Sequence, residues 1–357
     1  MAAVAPSVGI ELSIVSLMSY NGQRHGVALR RLGVNVTTAG LSRQWDPRGF
    51  RRAERLVGEA NPAVLHSHQK QADLVAAVIG RRLRVPMVST MHRIEDEVSP
   101  LGRVKRRLSA EARMRRAVRT IAVSNAQRSW YLDAFHDDTN RVVTIHNGVR
   151  PPAVTTGDDG RRVRRELGIS EDAVVATMLG VMRPGKGHRQ LIAADARLAP
   201  GTRLRFVCAG DGPLADELGR EADELGREAV RRGSPEARII FPGWRSDVGA
   251  ILAASDMIVH PTLFDALPTA LIQGLAAGLP AVASNVGGVP EIVSSDCGIL
   301  VAPDDPAALA DALQALAEDP QKRAKMGAAA RARFDTEFAA DIWAGRLRAL
   351  YDTVVAT

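Results

Sequence analysis

Arg183 and Lys186 stand on a glycine-rich turn, Leu179-Gly-Val-Met-Arg-Pro-Gly-Lys-Gly-His188, between a strand-like apolar run and a helical pattern over 190–198. Two cations at a helix start can grip a diphosphate, because the free N–H groups there add to their positive charge. A second glycine turn, Cys208-Ala-Gly-Asp-Gly-Pro213, again ends a strand and opens a helix, which lets a ligand approach the backbone closely. The most informative junction runs from His260 to Ser284. There Pro268 fits the first turn of a helix, leaving the N–H groups of Thr269 and Ala270 free at its positive end as an anion site. Asp265 lies just before that helix and Gln273 about one turn inside it, so both polar side chains could reach different parts of one ligand.

These junctions need a scaffold of parallel strands. Short Val- and Ile-rich runs alternate with helical patterns along the chain, the signature of strands joined by crossover helices. Candidate strands in the first half are 63–68, 85–92, 119–124 and 141–145; those in the second are 173–181, 203–209, 238–241, 257–260, 280–283 and 298–301. Each half reads as a doubly wound α/β domain. The segment 151–160, with its paired prolines and glycine-flanked acids, reads as a linker that stops helix and strand alike. Such a chain places its ligand at the carboxyl ends of the strands.

The 357 residues, 46% hydrophobic and 24% charged, exclude a small binding module and a disordered chain. The net charge of +7 divides unevenly, +12 over residues 1–150 against −5 over the remainder. Cys208 and Cys297 form neither a disulfide framework nor a zinc motif and read as small buried hydrophobes, which fits a reducing cytoplasm and no structural metal. No run of ~18 apolar residues and no signal peptide is evident. The stretch 103–119 holds eight cations and one acid. Val104, Leu108 and Ala112 make a narrow apolar stripe there, so a helix docked on the first sheet with its arginines outward is expected, in peripheral contact with an anionic membrane at its inner face. Nucleic acid is not expected, since no aromatic interleaving accompanies the charge. An exact repeat, Ala-Asp-Glu-Leu-Gly-Arg-Glu at 215–221 and 222–228, keeps Leu218 and Leu225 on one side of a lengthened helix.

In their order along the chain, the arginine/lysine turn, Gly210-Asp-Gly-Pro213, Phe241-Pro-Gly-Trp244, the Asp265 to Gln273 segment, Gly278-Leu-Pro-Ala-Val-Ala-Ser284 and Gly287-Gly-Val-Pro-Glu-Ile292 resemble the large glycosyltransferase family 4, of GT-B architecture. Leu65-His-Ser-His68, Val85-Pro-Met-Val-Ser-Thr-Met-His92, Ile121-Ala-Val-Ser-Asn125 and Ile145-His-Asn-Gly-Val149 are similar to it as well, and the match covers essentially all of 60–357. The resemblance implies two Rossmann-like domains facing across a cleft: 1–150 on the acceptor side, 161–336 binding the nucleotide-sugar donor, and a helix within 337–357 crossing back to the first domain. It implies retaining transfer of a sugar from a UDP- or GDP-linked donor to a glycan, lipid-linked or small-molecule acceptor, without metal or other cofactor.

Carried over residue by residue, the resemblance has Arg183, Lys186 and the N–H groups of Thr269 and Ala270 stabilise charge on the leaving diphosphate. Asp265 stands where the family has a glutamate touching donor-sugar hydroxyls, and Gln273 where a second glutamate holds the ribose diol. Gly210, Asp211 and Trp244 fall in segments lining the nucleoside pocket, with core packing the other reading for Trp244. His92 matches a histidine facing the donor sugar and acceptor. His66 and His68 share one strand face. Two departures stand out. The glutamate pair is replaced by Asp265 and Gln273, which should weaken ribose binding by about 1–3 kcal/mol. The segment from Val8 to Met18 looks like the family's second strand, so the first strand and helix are expected to be absent. These departures support a second reading, a GT-B homologue that binds nucleotide or glycan without turnover; a nucleotide-sugar epimerase fits the motif order less well.

Overall fold

The computed structural model describes residues 1–18, 23–42, 46–94, 99–151, 157–199, 201–231 and 238–356. They divide into two compact units, Met1–Gly148 with Ala340–Thr357, and Val149–Ala339.

The first unit holds parallel strands in two ladders. β1 (Ser13–Ser16) pairs with β2 (Asn35–Thr38), while β3 (Leu65–His68), β4 (Met87–Met91), β5 (Ala117–Ala122) and β6 (Val142–Thr144) form a four-stranded sheet in that order. The four expected strands are all present, β3, β4 and β6 with trimmed ends and β5 displaced two residues toward the N-terminus, at Ala117–Ala122 instead of 119–124. Around them pack α1 (Gln23–Arg31), α2 (Pro47–Ala60), α3 (Lys70–Leu83), α4 (Pro100–Arg116) and α5 (Asn125–Phe135). Val15 and Leu17, at β1 and just beyond it, share a cluster with Leu65 of β3, Val57 of α2 and Val75 and Ile79 of α3.

Helix α4 departs from the expectation. Val104 and Leu108 are 55% and 42% exposed, and of the expected stripe only Ala112 packs inward, against Ala76, Ala77 and Met87. The buried positions are instead Ser109, Ala110 and Arg113. The reason is Asp73 of α3, a buried carboxylate that accepts from Ser67 (2.7 Å), Ser89 (2.6 Å), Ser109 (2.9 Å) and Arg113 Nη1 (2.6 Å). A buried carboxylate must be paired and hydrogen-bonded, so this ion pair sets which face of α4 turns inward.

The second unit is one six-stranded parallel sheet in the order β12-β11-β10-β7-β8-β9: β7 (Val174–Leu179), β8 (Leu204–Ala209), β9 (Ile239–Ile240), β10 (Met257–His260), β11 (Ala281–Ser284) and β12 (Gly298–Val301). β7, β8 and β10 are buried along their whole lengths, hence their unbroken apolar runs. The helices are α6 (Gly157–Glu166), α7 (His188–Asp195), α8 (Ala215–Arg231), α9 (Val248–Ala253), α10 (Thr269–Ala276), α11 (Val289–Ile292), α12 (Pro306–Glu318) and α13 (Pro320–Arg333). The duplicated heptapeptides form the single helix α8, with Leu218 buried and Leu225 packed against the same core. Both cysteines are buried.

The linker expectation is corrected at its end, since α6 begins at Gly157; residues 152–156 lie outside the described residues. Asp158 and Asp159 suit the positive first turn of that helix. Gly160 packs so closely on α9 that a Cβ would stand 2.4 Å from the Ala253 carbonyl oxygen. The chain returns through α14 (Ala340–Val355) to the first unit, where Leu347 and Val354 join Val88, Ile121 and Ile145. Ile342 on the same helix is exposed, because Ala340, Ala344 and Leu347 form its inward face.

Candidate active site

In the second unit the strand order reverses between β10 and β7, whose carboxyl ends open onto the site, as expected of a ligand crevice in an open parallel sheet. The loop after β7 is stitched to the loop after β10. The Leu263 N–H donates to the Gly185 carbonyl at 2.9 Å, and the Thr262 hydroxyl lies 3.0 Å from the same oxygen. Gly187, with φ +89°, sits where a Cβ would be 1.9 Å from the Pro261 carbonyl oxygen, so only glycine allows the Arg183–Lys186 turn this close. Gly287, with φ +50°, meets the Asp265 carbonyl in the same way, at 2.0 Å, and the Gly288 N–H donates to that carbonyl at 3.1 Å.

This stitching brings together residues 79 positions apart: Lys186 Nζ lies 2.5 Å from Asp265 Oδ2, both side chains more than four-fifths buried. Burial works to raise the Asp265 pKa, but His260 and Lys186 outweigh it and hold the carboxyl at about 2. His260 stands behind the carboxylate, Nε2 3.6 Å from Oδ2, and its burial lowers its own pKa, so the ring is neutral. Neither of its nitrogens has a partner within 3.5 Å among the described residues, and the Asp265 carboxylate, at 3.6 Å from Nε2, is the acceptor it faces. Arg183 is half-buried on the same turn, and among the described residues its guanidinium makes no hydrogen bond or ion pair.

At α10 the expectation is adjusted by one residue. Pro268 is the N-cap and Thr269 the first helical position, with no side-chain cap. The Leu271 N–H turns back to the Pro268 carbonyl, whereas the N–H groups of Thr269 and Ala270 find no acceptor among the described residues. Asp265 therefore serves Lys186 and does not cap the helix. Gln273, half-buried on the next turn, has no side-chain partner among the described residues. The result is two cations and two free amides, a set that fits a diphosphate.

Next to them the Gly210 N–H donates to the Gly243 carbonyl at 3.0 Å, which brings the Gly210–Asp211 turn beside Trp244. The Asp211 carboxylate accepts from the Gly212 N–H at 2.7 Å. Trp244 is 62% exposed, which rules out core packing. His92 belongs to the other unit, where it follows β4 and its Nε2 lies 2.8 Å from His68 Nδ1.

The family models match accordingly. One described as "Glycosyl transferases group 1" covers residues 159–333, and one described as "Glycosyltransferase Family 4" covers 1–151. The alpha-maltose-1-phosphate synthase of Mycolicibacterium smegmatis is 30% identical, over 79% of this chain and 77% of that protein. The chain belongs to glycosyltransferase family 4. The D-inositol 3-phosphate glycosyltransferase of Corynebacterium glutamicum is 28% identical over 86% of this chain. The glycosyltransferase chain spans 75% of that relative's length, and 65% and 61% of proteins of the same name from Corynebacterium efficiens and Corynebacterium kroppenstedtii. Among solved structures, Anabaena Alr3699/HepE in complex with UDP-glucose superposes with a TM-score of 0.81 at 22% identity, covering all of this chain and 94% of that one, which establishes the GT-B fold.

Sequence reasoning had quoted His260 within a motif without giving it a role. Its signal was its place at the carboxyl end of β10, directly before Pro261. His188, buried at the start of α7, has no partner for Nδ1 among the described residues, and burial lowers its pKa to about 4.

Proposed function

We propose that this glycosyltransferase moves a hexose from a UDP- or GDP-linked donor to a glycan, lipid-linked or small-molecule acceptor, with retention of anomeric configuration and without a metal. The observation that carries this reading is the Lys186–Asp265 pair beside Arg183 and the two free amides of α10. As the sugar C1–oxygen bond to the diphosphate breaks, negative charge gathers on the leaving phosphate. Arg183, Lys186 and the N–H groups of Thr269 and Ala270 supply the counter-charge that a divalent ion would otherwise give. Asp265, held by Lys186, is an acceptor for donor-sugar hydroxyls. An acceptor hydroxyl attacking from the face the phosphate leaves forms the new C1–oxygen bond and passes its proton to the departing oxygen, so no enzyme carboxylate need attack. Gly210, Asp211, Trp244 and Gln273 take the nucleoside, and His92 faces the sugar. The shorter Asp265 still reaches Lys186, which favours turnover over the non-catalytic alternative. The test is product NMR together with chelation: the product keeps the donor's anomeric configuration and EDTA leaves the rate unchanged. An inverted product, or activity abolished by EDTA and restored by a divalent ion, overturns it.

For the acceptor side, the exposed apolar row Leu101, Val104 and Leu108 on α4 lies in a cation-rich helix. With Val78, Arg81 and Arg82 of α3 and Arg115 and Arg116 of α4, Leu108 lines a shallow groove. No helix among the described residues is long and apolar enough to cross a membrane. Apolar side chains among arginines suit the surface of an anionic bilayer, each cation contributing about 1 kcal/mol near it. The protein is expected to co-sediment with phosphatidylglycerol vesicles and not with phosphatidylcholine vesicles, and Val104→Asp with Leu108→Asp to release it. Equal sedimentation with both lipids rejects the contact.

A further inference from the structure

The first unit carries a run of polar rings that the transfer chemistry leaves unexplained. His66 and His68, on one face of β3, stack at 4.4 Å between ring centroids, and His68 stacks on His92 at 5.1 Å. His68 Nδ1 and His92 Nε2 share one hydrogen bond at 2.8 Å. At the inner end His66 is held at both nitrogens, Nε2 by Thr90 Oγ1 at 2.7 Å and Nδ1 by the phenol of Tyr351 at 2.5 Å. Tyr351 comes from α14, 285 residues along the chain, and meets the His66 ring edge-on.

Burial raises the Tyr351 pKa, so the phenol keeps its proton, and burial holds His66 well below its ordinary value, so that ring is neutral. The phenol, the stronger acid, donates to Nδ1; His66 is then the Nε2–H tautomer and donates to Thr90. His68 and His92 are lowered by desolvation as well, His68 to about 4. Two neutral imidazoles joined by one hydrogen bond must be opposite in polarity at the joining atoms, so the state of His68 determines which His92 nitrogen carries its proton. Stacking fixes the ring planes. For packing alone, an apolar residue at position 66 would avoid desolvating two ring nitrogens.

We infer that Tyr351 is a positioning residue for His92, acting through the His66–His68 stack, and that the C-terminal helix is in this way part of the sugar-facing site. This rests on the reading that His92 faces the donor sugar. Since both His66 nitrogens are taken by Tyr351 and Thr90, His66 acts on His68 through the stacked plane, and a His92 ring held in one plane presents its nitrogen to a hydroxyl in one direction.

Tyr351→Phe keeps the ring and its packing and removes only the O–H. The expected result is unchanged donor KM and UDP binding, with kcat lower by about ten-fold, less than the ~10² that a misplaced catalytic group can cost. Imidazole ¹⁵N NMR should show the His66 tautomer becoming mixed and the His92 signals shifting and broadening as the stack loses its fixed planes. In a His92→Ala background the same substitution should lower kcat no further, whereas a merely structural loss would multiply through in both backgrounds. Unchanged kcat and unmoved His92 signals in Tyr351→Phe, or an equal drop in both backgrounds, overturns the inference. If His92→Ala itself turns over at the wild-type rate, the reading of His92 fails.

Discussion

Lys186→Ala is expected to lower kcat by about 10²–10³, the effect of removing one preorganised charge-stabilising group at a transition state. The size follows from geometry. Lys186 Nζ is 2.5 Å from Asp265 Oδ2 in a site closed behind by the neutral ring of His260. Removing the ammonium takes a cation from the leaving diphosphate and also leaves a mostly buried carboxylate without its partner, whose negative charge then repels the phosphate. Asp265→Asn separates the two effects. It keeps Lys186 and the side-chain shape, so diphosphate binding should hold while sugar-dependent turnover falls. Lys186→Arg should not restore the rate, since the planar fork differs in reach and shape from a compact ammonium. The measurements are radiolabelled-sugar transfer under donor saturation and UDP affinity by calorimetry, with circular dichroism confirming the fold. A Lys186→Ala enzyme with wild-type kcat would falsify the assignment.

The second large effect falls on stability. Arg113→Met is expected to destabilise the first unit by about 3–5 kcal/mol, because it strands Asp73 as a buried charge. The pair is almost wholly enclosed, with side-chain exposures of 7% and 1%. Three serine hydroxyls still donate to Asp73, but none is a cation. For a unit of this size the loss corresponds to a fall of about 10 °C in its transition temperature. Scanning calorimetry with UDP present should separate the units: the transition that UDP raises stays in place, and the other moves. Asp73→Leu combined with Arg113→Met should recover much of the loss, since a buried ion pair replaced as a whole by apolar groups is often neutral. An Arg113→Met protein that melts with wild type would show the pair to be dispensable.

The second unit was the most legible in the sequence. Its strands are buried on both faces, so they read as unbroken apolar runs, and its turns are written in glycine and proline, whose backbone demands are local. Thus Arg183, Lys186, Thr269 and Ala270 were placed by junction chemistry alone. Helix α4 was misread for the opposite reason. Its outward apolar residues mimic a docked stripe, and the carboxylate that decides its orientation, Asp73, lies on another helix.

By itself, then, the sequence determined the alternation of strands and helices, the junctions that bear the ligand chemistry and the family, because each rests on patterns within a few residues or on motif order. Only the tertiary structure decided that Lys186 meets Asp265, that Trp244 stands in solvent, that α4 buries its polar face and that Tyr351 ends a stack of histidines leading to His92. Each of these depends on which surfaces of distant elements come into contact, and that is fixed by burying charges with partners and apolar faces against the sheets, not by local propensity.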